Sequence, residues 1–138
     1  MISAEERRFV NCCVRRERRR RLLYELETPA RRRQGLSRFC HQAGDLLEPG
    51  QIVLAGAGLE RQAEFRRRWA DQPETCLLLS PDACPEGRRL EPEEALKWAL
   101  DCCDAVLILG GDFALVFGEA EPGGRAKYLL RLDGRHDK

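Results

Sequence analysis

The chain has 138 residues, 43% of them hydrophobic and 34% charged, with a net charge of +1. That balance excludes a disordered polyelectrolyte and a membrane-embedded helical protein, and it fits one domain able to bury its own core. The most apolar window, Ala105 to Phe117, is interrupted by Gly-Gly-Asp and falls short of a bilayer span.

The near-zero net charge hides a bipolar chain. The first 40 residues carry 12 Arg and 5 Glu, a net +7, so the remaining 98 carry −6. Of the 24 basic residues 21 are Arg, the side chain suited to bidentate pairing with phosphate or carboxylate. Seven cysteines, including the neighbours Cys12-Cys13 and Cys102-Cys103, do not make a disulfide framework, so buried thiols in a reducing, cytoplasmic setting are expected. The opening residues Met1 to Val10 place acids and arginines where a signal peptide needs an apolar segment.

In chain order, Ser3 and Glu6 have the spacing of a capping box and predict a helix from there to about Glu27, where Thr28-Pro29 breaks it. On that helix Ile2, Phe9, Cys12, Cys13, Leu23 and Tyr24 fall on one apolar stripe, with Arg16 and Arg20 in its middle. The conflict means that the stripe is discontinuous or that acids answer those two arginines. The next segment puts Leu36, Phe39, Cys40, Ala43, Leu46 and Leu47 on one helical face and Arg38, His41, Gln42 and Asp45 on the other, ending at Pro49-Gly50.

From Gln51 the pattern alternates. Strands are predicted at Ile52 to Ala55 and Thr75 to Leu79, with a helix from Leu59 to Ala70 between them and an exposed loop from Ser80 to Arg89 after them. A helix opened by Pro92, Glu93 and Glu94 buries Ala95, Leu96, Ala99, Leu100 and Cys103. Strands follow at Ala105 to Leu109, Phe113 to Phe117 and about Lys127 to Leu132. The fold class expected is a single α/β domain: residues 1–48 an Arg-rich helical hairpin packed on the rest, 49–132 the core, 133–138 a polar tail. The order β-α-β-α-β predicts parallel strands with crossovers, joined at one edge by antiparallel C-terminal strands in a small mixed sheet. The unbroken apolar runs around Gly110 imply that both sheet faces are covered, one of them by the N-terminal helices or a partner subunit.

Four sets of residues could carry function. Gly110-Gly111-Asp112-Phe113 resembles the Gly-Gly-Asp-Glu-Phe signature of diguanylate cyclases, in which a hairpin underlies a nucleotide and acids hold metal. Here the glutamate is missing and neither earlier strand supplies a metal-binding carboxylate, so a tight turn using glycine's positive φ is expected. Gly56-Ala57-Gly58 leads from a strand into a helix and resembles a Rossmann-type phosphate loop, with Gly56, Gly58, Gly110 and Gly111 as its backbone donors, although the third glycine of the fingerprint is absent. His41 could be oriented by Asp45, four residues on. Neither a metal site nor a cofactor is expected, because no CxxC exists, Cys76 and Cys84 lack partners of suitable spacing, and His136 lies in the tail.

The strongest electrostatic feature is the set Arg15, Arg18, Arg19, Arg21, Arg31, Arg32, Arg33 and Arg38, read as a nucleic-acid-binding surface. No catalytic constellation is assembled in the sequence. The leading expectation is therefore a binding or assembly module that engages a polyanion, nucleic acid foremost, through its N-terminal helices. The alternatives are a nucleotide- or phosphate-binding Rossmann-like domain and a structural homodimer whose charges pair with one another, marked by a solution mass near twice 15.8 kDa.

Overall fold

Helix α1 begins where the sequence places its cap. In the computed structural model, which describes residues 2–56, 67, 69, 75–81, 86–101, 105–119 and 125–132, Glu6 N donates to Ser3 Oγ at 3.2 Å and Ser3 N donates to Glu6 Oε2 at 3.4 Å. The box opens α1 (Ala4–Cys13), which buries Glu6, Phe9, Val10 and Cys13.

The long helix expected up to Glu27 is two helices. Val14 is extended and bridges Leu47, Arg15 N donates to Leu46 O at 2.7 Å, and Glu48 N donates to Cys13 O at 2.7 Å. Helix α2 (Arg16–Glu27) starts afresh and buries Leu22, Glu25 and Leu26. The cause is phase: at 100° per residue the faces of Phe9, Val10 and Cys13 and of Leu22 and Leu26 would lie roughly 160° apart on one continuous helix. Breaking the helix at Val14 lets both faces reach the same core. It also resolves the conflict over Arg16 and Arg20, which are exposed rather than inward-facing. Tyr24, assigned above to the apolar stripe, is corrected with them, being 56% exposed.

Helix α3 (Pro29–Ser37) turns back along α2, opened by Pro29 at its first position as Thr28-Pro29 predicts. Their approach is close at Gly35, where an added Cβ would stand 3.0 Å from Glu25 Cβ. After a turn, the short α4 (Ala43–Leu46) leads through a 3-10 turn at Pro49–Gln51 into the sheet. Leu36, Phe39, Ala43, Leu46 and Leu47 are buried as the spacing predicts, and Cys40 is half-buried.

The strands are β1 (Ile52–Gly56), β2 (Cys76–Leu79), β3 (Arg89–Leu90), β4 (Val106–Leu109), β5 (Phe113–Phe117) and β6 (Lys127–Arg131), in one sheet of order β1-β6-β5-β4-β2-β3. Every pairing is antiparallel, so the parallel β-α-β-α-β order expected from the sequence is corrected while the α/β class stands. The physical reason lies in β3, a two-residue strand that begins at Arg89, the last residue of the segment expected to be an exposed loop. It folds back on β2 around Gly87, whose φ of 82° suits glycine, and so inserts one extra reversal before helix α5 (Pro92–Asp101). Both β3 and β4 run antiparallel to β2, hence parallel to each other, and α5 is the crossover between them.

Side-chain alternation sorts the strands into two cores. Leu77, Leu79, Leu107, Leu109, Ala114, Val116 and Leu130 meet the helical first third through Phe9, Val10, Leu22, Leu36 and Phe39. Cys76, Leu78, Val106, Ile108, Leu115, Phe117 and Leu129 meet Ala95, Leu96 and Ala99 of α5 and Trp69, whose indole N–H donates to Pro92 O at 2.9 Å. Both faces are thus covered as the unbroken apolar runs require, and the N-terminal helices supply the first cover. The expected helix from Leu59 to Ala70 is described at Arg67 and Trp69, which are helical, and otherwise lies outside the described residues, as do Cys84, Cys102, Cys103 and the 133–138 tail. No helix among the described residues is long and apolar enough to cross a membrane.

Candidate nucleic-acid interface

The arginines of the first forty residues divide by what they touch. Arg38 closes the α2–α3 hairpin: its Nε donates to Glu25 Oε1 at 2.7 Å and its Nη2 to Glu25 Oε2 at 2.6 Å, a bidentate pair on a carboxylate that is 2% exposed. The Arg38 hydrogen bond holds the Glu25 carboxyl below its ordinary range against the opposing effect of burial, with Arg21 assisting from 3.6 Å. Arg32 ties three elements together. It donates to Glu6 of α1 at 2.6 Å, to Glu86 before β3 at 2.5 Å and to Leu26 O at 3.3 Å. Burial alone would lower its guanidinium, but Glu6 and Glu86 outweigh that and raise it. Glu6 therefore serves both as cap and as counter-ion, a double role that spacing alone did not reveal.

A second group caps carbonyls or crosses helices. Arg15 Nε donates to Leu47 O at 3.0 Å and its Nη2 to Gly44 O at 3.2 Å, while Arg19 Nε donates to Val14 O at 2.8 Å. Arg19 thus satisfies a carbonyl left open by the α1–α2 break, and Arg15 satisfies carbonyls at the end of α4. Arg8 donates to Gly111 O at 3.0 Å and Arg7 pairs with Glu27. From the opposite direction Arg89 of β3 makes a two-point pair with Glu5 of α1, with bonds of 2.9 and 2.5 Å.

The third group is Arg16, Arg18, Arg20, Arg31 and Arg33. All five are exposed, and among the described residues none meets a carboxylate within ion-pair distance. Of the eight arginines assigned to binding from sequence, Arg18, Arg31 and Arg33 keep that availability and Arg21 keeps most of it, its side chain being 73% exposed. Arg15, Arg19, Arg32 and Arg38 are instead held inside the fold by the contacts above. Arg16 and Arg20, which the sequence turned inward, join the outer set because the helix restarts at Arg16.

The glycine turns do not combine. Gly110 N donates to Phe113 O at 2.9 Å and closes the β4–β5 hairpin, the turn expected there. It is built without positive φ, since Gly87 is the glycine with that conformation among the described residues. The register pairs Gly56 with Lys127, Lys127 with Phe117 and Phe117 with Val106, at the end of β4 opposite Gly110 and Gly111. Gly56 and the Gly110-Gly111 turn therefore stand at opposite ends of the sheet, and one phosphate site cannot use both. Gly58 lies outside the described residues.

His41 is met by Glu119 at 3.4 Å, rather than by the Asp45 that helical spacing suggested, because the chain turns out of helix after Ser37. Cys12, Cys13, Cys40 and Cys76 are thiols and not disulfide halves. Burial, with Glu91 adding, pushes the Cys76 thiol up to about 12, which leaves it protonated and inert as a nucleophile. Among the described residues no three His, Cys, Asp or Glu side chains converge on a metal position. A groove of about 500 Å³ lies between β3 and α5, with Arg88 placed 5.6 Å over the Trp98 ring.

No family model, no curated protein and no solved structure matches the chain.

Proposed function

We propose that the protein is a binding module whose α2–α3 hairpin engages a polyanion, nucleic acid first among them, through Arg16, Arg18, Arg20, Arg31 and Arg33, with Arg21 at their margin. The observation that carries this reading is the absence of any described carboxylate against those five guanidinium groups, in a chain that answers Arg7, Arg32, Arg38 and Arg89 with acids. Acids meet arginines both half-buried, Arg32 and Arg38, and exposed, Arg7 and Arg89, but not these five. Exposed arginines of this kind bind phosphates by fork-like hydrogen bonds and release condensed counter-ions, which makes association steeply salt-dependent.

Retention of the full chain on immobilised heparin and on an oligonucleotide column tests the reading. The expected result is binding at low salt that collapses at moderate salt. Passage through both columns at low ionic strength would contradict it and leave internal charge pairing as the use of the arginines. The nucleotide-binding alternative has weaker support, because its two glycine turns stand at opposite ends of the sheet.

A further inference from the structure

We propose that Tyr24 is a stacking platform for an unpaired base, so that the hairpin takes single-stranded nucleic acid in preference to duplex. The inference rests on the polyanion reading above and deepens it. Tyr24 is the large hydrophobic side chain left exposed among the described residues, at 56%. Its exposure is a product of the fold: the restart of the helix at Arg16 turns Leu22 and Leu26 into the core and rotates Tyr24 out with the arginines.

The neighbours of the ring are set by helical spacing. Arg20 and Arg21 stand four and three residues before it, positions whose side chains adjoin on a helix surface, and Arg16 lies one further turn back along the same row. Arg16, Arg20 and Tyr24 thus form a line of two guanidinium groups and one aromatic ring on the outer side of α2. Glu27 on this side is engaged by Arg7, and Glu17 borders the row. The backbone under the ring is fixed, because Tyr24 O accepts both Thr28 N at 3.1 Å and Thr28 Oγ1 at 2.8 Å at the corner where α2 gives way to α3.

Arginines next to an exposed aromatic are the elements of single-strand binding: cations hold successive phosphates while the ring stacks on a base turned out from the backbone. A duplex would satisfy the arginines equally but offers no unstacked base to the ring, whereas a single strand satisfies both. The phenol hydroxyl adds a donor at the ring's outer edge.

The test uses the full chain, a fluorescent oligo-dT strand, a mixed-sequence duplex of equal length, and heparin. Wild type is expected to bind oligo-dT more tightly than duplex. In Tyr24→Ala, oligo-dT binding falls roughly tenfold, the usual strength of one base stack, while the salt at which heparin releases the protein is unchanged. Tyr24→Trp keeps or strengthens oligo-dT binding. Equal affinity of Tyr24→Ala and wild type for oligo-dT, an equal loss on oligo-dT and heparin, or a wild-type preference for duplex would each overturn the stacking role while leaving the charge reading intact. Failure of wild type to bind heparin or either DNA overturns the charge reading itself, and the stacking role with it. An exposed helical position tolerates all three side chains, and unchanged thermal unfolding of the variants separates a binding effect from a folding one.

Discussion

Strands β4 and β5 bury Val106 to Leu109 and Ala114 to Phe117 among other apolar side chains, whereas the α2–α3 hairpin closes over Glu25 and Gly35 with a guanidinium as its seal. The sheet is non-directional in its demands: an apolar side chain of about the right volume serves. The hairpin is directional, since Glu25 is buried only because Arg38 presents two donors to its two oxygens. An arginine count therefore says little until the contacts of each guanidinium divide it. Arg32 and Arg38 belong to the architecture, and Arg16, Arg18, Arg20, Arg31 and Arg33 remain at the surface.

The largest effects are expected where that division is broken from inside. Ile108→Ala, at a fully buried sheet position, is expected to cost about 3 kcal/mol in chemical denaturation, because lost burial and a residual cavity add. Arg38→Ala should cost about 3 kcal/mol by the same measurement, since it strands the Glu25 carboxylate without its partner, and a much smaller loss would mean that the pair is solvated. Replacing both partners, Arg38→Met with Glu25→Leu, should recover most of that loss, which separates the need for neutralisation from any intrinsic gain from the pair.

The same pair gives a pH signature. The Glu25 carboxyl is held below its ordinary range in the folded state, so its contribution to stability is present above that range and lost as pH falls through the folded value. Stability measured from neutral pH into the acid region should therefore fall less steeply in Glu25→Gln than in wild type. Gly35→Ala is expected to cost about 1 kcal/mol despite alanine's better helix propensity, because the new Cβ meets Glu25 Cβ at 3.0 Å. The smallest effect on folding belongs to the outer set. Arg16→Gln, Arg20→Gln and Arg33→Gln should each leave stability within about 0.5 kcal/mol of wild type.

Much of the fold was legible because local chemistry and tertiary structure agree. The Ser3–Glu6 box, Pro29, the acids after Pro92 and the strands at Ile52, Cys76, Val106, Phe113 and Lys127 all formed within a residue or two of the expected places. What misled was non-local. Nothing in Val14 or Arg15 alone announces a helix break, which depends on a clasp by residues 46–48, more than thirty positions downstream. A strand of two residues, Arg89–Leu90, is too short to carry an alternation, yet it decides the direction of its neighbours. The site suffered likewise: Leu22 and Leu26, facing away from the stripe drawn on a continuous helix, were the signal that α2 has its own phase. They would have moved Arg16, Arg20 and Tyr24 to the surface.

Under the proposed function the outer arginines, and not the inner ones, meet the ligand. The most direct measurement is the slope of log affinity against log salt for a single-stranded oligonucleotide, compared between wild type and a variant with Arg16, Arg18, Arg20, Arg31 and Arg33 changed to Gln. With about 0.7 of slope per phosphate contact, loss of five contacts makes the variant's line shallower by roughly 3.5, with thermal unfolding unchanged. Parallel lines for the two proteins would contradict it.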